Sequence, residues 1–222
     1  MTENKGLDWN SIEFVLLDMD GTLLDKGFDD YFWETYVPKF YAEKYDISRE
    51  DAHKVLIEKY KSQEGTLNWF DLDYWSEALG LDIVQLKEQI SSLIRIHPDV
   101  PDFLEFLKKG NRKGFLVTNA HPKTIKLKLN KTGLGPYFTA VLSAFDVGVP
   151  KHSGRFWEKA GERLGFIRDK ALFIDDEEVA LEAASKYGIR YLLHKVNPGF
   201  REVSSSNKFI QIAFFKELLL LS

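Results

Sequence analysis

Four consecutive apolar residues, Phe14-Val15-Leu16-Leu17, run straight into Asp18-Met19-Asp20-Gly21-Thr22. An apolar run closed by a glycine-bearing turn predicts a buried strand over residues 12–17 that ends at Asp18. From residue 28 to 94 the pattern changes to long, charged, aromatic-rich segments, with Phe32, Tyr36 and Phe40 at helical spacing. Ser48-Arg49-Glu50-Asp51 approximates a capping box and opens a helix. Residues 66–79 and 82–94 read as two more helices, the first stopped by Gly80. Beyond Pro98 the rhythm alternates: helices over 101–109, 122–131, 156–164 and 177–187, strands over 113–117, 139–142, 171–174 and 190–193. Such alternation implies βαβ units, hence an α/β, Rossmann-like parallel sheet with helices on both faces. The strand over 12–17 has no partner of its own and must join that sheet. The helical block is therefore an insertion: a core of residues 1–26 and 96–222, and an all-helical cap of residues 27–95. The last stretch, 209–221, has helical spacing and a single basic residue, Lys216, and reads as a docked final helix rather than a membrane-touching amphipath. Ser204-Ser205-Ser206 reads as a loop.

Composition narrows the class. With 222 residues and 44% hydrophobic positions the chain has ample material for a packed core. Apolar runs stay far below the roughly 20 residues of a membrane-spanning helix. The polar residues 1–10 do not resemble a secretion signal, so a cytoplasmic location is expected. Absence of cysteine excludes disulfides, thiol catalysis and Cys-ligated zinc. A net charge of −4 argues against a nucleic-acid polymer as partner. The pattern is equally compatible with a monomer and a homo-oligomer.

The polar residues at the predicted strand ends change the picture most. In an open parallel sheet, ligands bind at the carboxyl ends of the strands. There the sequence places Asp18 and Asp20, then Thr118 and Asn119, then Asp175 and Asp176, with Lys151 in a loop between. Four carboxylates on one edge repel unless cations offset them. One lysine and a divalent metal would do so, and Mg2+ suits an all-oxygen donor set. The layout fits phosphoryl transfer, in which one carboxylate attacks phosphorus and a second, two residues on, serves as general acid and base.

Asp18-Met19-Asp20-Gly21-Thr22, Thr118, Lys151 and Asp175-Asp176, in this order, resemble the four motifs of the haloacid dehalogenase-like superfamily over nearly the whole chain. Further stretches narrow the resemblance to a branch of purine 5′-nucleotidases acting on GMP and IMP. They include Phe28-Asp29-Asp30-Tyr31-Phe32-Trp33, Leu72-Asp73-Tyr74-Trp75-Ser76-Glu77 and Thr118-Asn119-Ala120-His121-Pro122. The resemblance implies Asp18 as nucleophile and Asp20 as general acid/base. It implies magnesium held by Asp18, the Asp20 carbonyl and Asp176 with help from Asp175. Thr118 and the Asn119 N–H would take phosphoryl oxygens, and Lys151 would pair with Asp18 and phosphate. The substrate would be a small phosphomonoester, a purine nucleoside 5′-monophosphate. The alternative is a phosphatase or phosphomutase acting on sugar phosphates or other small phosphomonoesters. Family members often place Pro after the lysine and Gly before the last acidic motif. Here Pro150 precedes Lys151 and Ile174 precedes Asp175. Carbon–halogen hydrolysis is disfavoured by Asp20, and a phospho-receiver domain by the cap and the motif order.

Three groups carry plainer readings as well. The aromatics Phe28, Tyr31, Phe32, Trp33, Trp69, Phe70, Tyr74 and Trp75 are spaced as the cap's own core, with one or two left to face substrate. His121 reads as a loop cap or a substrate contact, and Glu177 and Glu178 as first-turn helix acids.

Overall fold

The computed structural model describes residues 7–196 and 208–219. After β1 (Phe14–Leu17) come α1 (Gly27–Tyr31), α2 (Val37–Tyr45), α3 (Arg49–Lys61), α4 (Leu72–Leu79) and α5 (Ile83–Gln89). The chain then alternates through α6 (Val100–Lys109), β2 (Lys113–Thr118), α7 (Pro122–Thr132), β3 (Ala140–Ser143), α8 (Ala144–Val147) and α9 (Gly154–Leu164). It ends with β4 (Ala171–Asp175), α10 (Glu178–Tyr187), β5 (Tyr191–Lys195), β6 (Ile210–Ile212) and α11 (Lys216–Leu219).

The strands form one sheet in the order β3-β2-β1-β4-β5-β6, every neighbouring pair parallel. A parallel sheet is covered on both faces, which is why β1 is apolar at every position instead of alternating. Val15, Leu17, Leu116, Leu172 and Ile174 point to one face and join a core that continues into the inserted helices. Phe14, Leu16, Phe115, Val117 and Phe173 point to the other, against Phe156 and Trp157 of α9 and Leu181 of α10. β1 lies between β2 and β4, so the order of the chain across the sheet reverses there. That is the switch point at which a crevice opens beyond the strand ends.

Three expected elements take a different form. The helix expected over 66–79 is broken at Asp71, whose carboxylate accepts the backbone N–H of Asp73 and Tyr74 and so starts α4 afresh, behind a 3-10 turn at Leu67–Phe70. The helix expected over 82–94 ends at Gln89, before Ser91-Ser92, residues whose hydroxyls compete for backbone hydrogen bonds; a 3-10 turn follows at Ser91–Leu93. The final segment is not a single helix. Among its described residues Ile210–Ile212 pairs with β5 as a sixth strand, and only Lys216–Leu219 is helical; residues 220 and 221 lie outside the described residues. The β-branched pair around Gln211 finds an open sheet edge, and that tertiary opportunity outweighs the local helical spacing. Residues 204–206 lie outside the described residues.

The two passages between core and insertion run side by side. Leu24 and Ile96 form an antiparallel bridge, flanked by Asp25 N–H to the Arg95 carbonyl at 3.0 Å and His97 N–H to the Leu23 carbonyl at 3.1 Å.

Candidate active site

β1 and β4 present their last residues side by side at the switch point. Asp18 follows β1 directly, its N–H donating to the carbonyl of Ile174 at 3.0 Å. The chain then turns on Gly21, whose φ of 90° is open to glycine at little cost, and Gly21 N–H closes the loop on the Leu24 carbonyl at 2.8 Å. Asp175 ends β4, fully buried, and its Oδ1 accepts Glu177 N–H at 2.8 Å.

Lys151 joins these two strand ends. Its ammonium donates to Asp18 Oδ1 and, at 2.6 Å, to Asp175 Oδ2, while the side chain is only 2% exposed. The loop carrying it is pinned from both sides despite the displaced proline. Lys151 N–H donates to Asn119 Oδ1 at 2.8 Å, and the Lys151 carbonyl accepts Trp157 Nε1–H at 2.8 Å. Burial alone would lower the Lys151 pKa, but Asp175 and Asp18 outweigh it and hold the ammonium charged well above its usual range. Burial raises Asp175 well above the carboxylate range; Lys151 opposes this, and the charges of Asp18 and Asp176 add to it. Asp176 is pushed up to about 7 by burial, against the pull of Lys26, with Asp18 and Glu177 adding to the rise. Lys26 donates to Asp176 Oδ2 at 3.1 Å.

The carboxylates of Asp18, Asp175 and Asp176 are buried and offer oxygens within 4.8 Å of one another. Three buried carboxylates this close together, with oxygen donors only, fit a hard divalent cation. The Asp20 side chain is not part of this group. It turns to Lys128 instead. Thr118 and Asn119 are buried beside these acids and line the same cavity, the Thr118 hydroxyl accepting Ala120 N–H at 3.1 Å.

That cavity, of about 660 Å³, extends from Asp18, Asp20, Thr118 and Lys151 up to the inserted helices. Its far wall includes Trp33, Tyr60, Trp69, Phe70 and Trp75. The aromatics divide differently from the expectation of one or two facing the cavity: four of the eight line it. Phe28 and Phe32 are buried among the inserted helices, whereas Trp33, Trp69 and Phe70 reach the cavity, and Trp75 does both. His121 caps α7, Nδ1 accepting Lys123 N–H at 3.3 Å. Its proton therefore sits on Nε2, which faces Asp71 and Asp73 at the start of α4 at 3.7 and 3.8 Å. Burial lowers its pKa, with the two aspartates opposing. Glu178 lies in the first turn of α10, as expected, whereas Glu177 stands one position earlier as its N-cap.

A family profile of haloacid dehalogenase-like hydrolases matches residues 12–188. The chain belongs to that family. Within it, the chain is 42% identical to the GMP/IMP nucleotidase YrfG of Escherichia coli, over 86% of each chain. It is 25% identical to a phosphorylated carbohydrates phosphatase of Thermotoga maritima, over 85% of this chain and 88% of that one. A solved haloacid dehalogenase-like phosphatase of Thermococcus onnurineus superposes with a TM-score of 0.79 at 25% identity, covering 95% and 97% of the two chains.

Several residues of this hydrolase's site escape a reading of sequence. Lys26, Asp29, Lys87 and Tyr60 all line the cavity. Lys128 is 99% hidden beneath it, on a helix with four lysines of which nothing in the pattern singles one out. His194 places Nε2 at 3.0 Å from the Asp176 carbonyl, donating there. Lys87 alone left a signal: Ile83, Leu86, Lys87 and Ile90 form an i, i+3, i+4, i+7 stripe, with a charge where an apolar residue belongs.

Proposed function

We propose that this hydrolase is a cytoplasmic, magnesium-dependent phosphomonoesterase acting through an aspartyl-phosphate, with the purine nucleotides GMP and IMP as substrates. The observation that carries the chemistry is the buried Asp18–Lys151–Asp175 bridge at the switch point, with Asp20 two residues on and facing the same cavity. The aromatic far wall and the 42% identical GMP/IMP nucleotidase support the purine.

In this reading Asp18 Oδ attacks phosphorus in line with the 5′ oxygen, and Asp20 gives that oxygen a proton as the bond breaks. Lys151 and Thr118 hold phosphoryl oxygens as charge shifts onto the leaving group. Asp20, now a carboxylate, takes a proton from water as the water attacks the aspartyl-phosphate, which releases phosphate and restores Asp18. Asp20 is suited to both duties: burial pushes its carboxyl up to about 6, with Lys128 opposing and Asp29 and Asp18 adding. Asp18, Asp175, Asp176 and the Asp20 carbonyl would hold magnesium, which supplies charge neutralisation for the transferring group. The cap of residues 27–95 would close over the core formed by 1–26 and 96–222, excluding bulk water.

A phosphate-release screen tests the assignment, with nucleoside 5′-monophosphates and sugar phosphates as substrates, with and without a chelator. GMP and IMP should be turned over best and lose turnover on chelation. Preference for pyrimidine nucleotides or sugar phosphates would overturn the purine reading, and chelator-resistant turnover the metal requirement.

A further inference from the structure

Behind Asp20 lies an alternating chain of four charges, Asp20–Lys128–Asp29–Lys87. The Lys128 ammonium donates to both Asp20 Oδ1 and Asp29 Oδ2 at 2.5 Å, and Lys87 pairs with Asp29 Oδ1 at 2.8 Å. The four residues come from four places: the loop after β1 and α7 in the core, and α1 and α5 in the cap. Both lysines are almost wholly buried, at 1% and 4% side-chain exposure. Lys128 lies over the Phe28 ring, and Lys87 over the rings of Phe28, Phe32 and Trp33. A buried ammonium held on three sides by carboxylates and rings cannot wander among rotamers, so what it holds is fixed too.

We propose that Lys128 is a positioning residue for the proton transfer by Asp20, anchored through Asp29 to Lys87 of the cap. Lys128 holds Oδ1, which turns Oδ2 toward the leaving-group oxygen. Because Lys128 is shared between Asp20 and Asp29 of the cap, itself held by Lys87, the orientation of Asp20 depends on the cap's seating on the core. The inference rests on Asp20 being the general acid, as proposed above.

The test compares two substrates of unequal need for a proton. The 5′ oxygen of IMP leaves poorly as an alkoxide, whereas 4-nitrophenyl phosphate releases a stable anion and gains little from an acid. kcat/KM reports only steps up to formation of the phosphoenzyme, so hydrolysis of that intermediate does not blur the comparison. Lys128→Met should lower kcat/KM on IMP by roughly 10- to 100-fold, a part of the full worth of a general acid, and on 4-nitrophenyl phosphate by less than about 3-fold. Equal losses on both substrates, or no loss on either, would overturn the proposal. Should Lys128→Met fail to fold with two acids left facing each other, the Lys128→Met/Asp29→Asn pair removes one charge of each sign and carries the same comparison. Asp20→Asn distinguishes the two levels of the argument. A selective loss on IMP in Asp20→Asn but not in the Lys128 variants defeats this inference alone. Unselective behaviour of Asp20→Asn defeats the reading of Asp20, and the role of Lys128 with it.

Discussion

Asp18 and Asp20 are two positions apart in sequence, yet their carboxylates meet different cations. Asp18 faces Lys151 in the floor of the cavity, and Asp20 faces Lys128 at its side. The strand-to-turn geometry separates them: Asp18 still belongs to the β1 ladder, and the chain has begun to turn by Asp20. The proposed division of roles needs such separate environments, with Asp18 as nucleophile and Asp20, its carboxyl pushed up to about 6 by burial, as the group that exchanges the proton. Asp18→Asn should therefore lower phosphate release by at least about 1,000-fold with folding intact, the scale expected on losing a nucleophile. Retained turnover in that variant would remove Asp18 from the mechanism. On the far wall, Trp69 is partly exposed and lines the cavity. If its ring stacks on the base, Trp69→Ala should raise KM for IMP by about 10-fold and leave KM for a small sugar phosphate unchanged. Equal effects on the two would mean that Trp69 shapes the cap and does not read the base. At this scale the strand-end residues were legible because their positions follow from the alternation of strands and helices. Asp29 and Lys128 were not, because their meeting spans about a hundred residues of sequence and leaves no local trace.

Helix and strand boundaries were legible where a side chain punctuates the backbone. Ser48 accepts Asp51 N–H at 3.0 Å, as the capping pattern suggested, and Gly80 closes α4 with a φ of 62°. Asp71 shows the limit. Asp-Leu-Asp inside a helical-looking stretch gave no reason to choose a cap over a mid-helix acid, and the choice was made by the two backbone N–H groups it accepts. Asp71→Ala should cost about 1 kcal/mol in chemical denaturation, the usual worth of an N-cap. A change within error would show that α4 needs no cap there. β6 marks the opposite case, a segment whose local spacing suggests helix while its partner, β5, decides for strand.

For the whole molecule, the acidic excess matters less than where the charges lie. The inserted helices meet the rest of the chain through the Lys123–Asp73 pair at 2.5 Å and the buried chain centred on Asp29, above the passages joined by the bridge at Leu24 and Ile96. Burial alone would raise Asp29, but Lys128 and Lys87 outweigh it and hold the carboxyl well below its usual range. A depressed folded-state pKa contributes stability that is complete above the unfolded value of 3.8 and is lost as pH falls through the folded value. Asp29→Asn should then lower stability at neutral pH by about 3 kcal/mol, the scale for breaking a buried ion pair. The gap from the native protein should hold constant down to about pH 5 and shrink below about pH 4. Thermal melts of the two proteins across that range check this, and a gap that ignores pH would assign the loss to packing. Among the described residues no helix is long and apolar enough to cross a membrane. The central claim is that phosphate leaves in two displacements at phosphorus, the first by Asp18. The stereochemical course of hydrolysis, read with a substrate whose phosphorus is made chiral by isotopic and sulfur labels, tests it directly. Two in-line displacements invert twice and should give net retention; net inversion would mean that water attacks the substrate itself and that no aspartyl-phosphate forms.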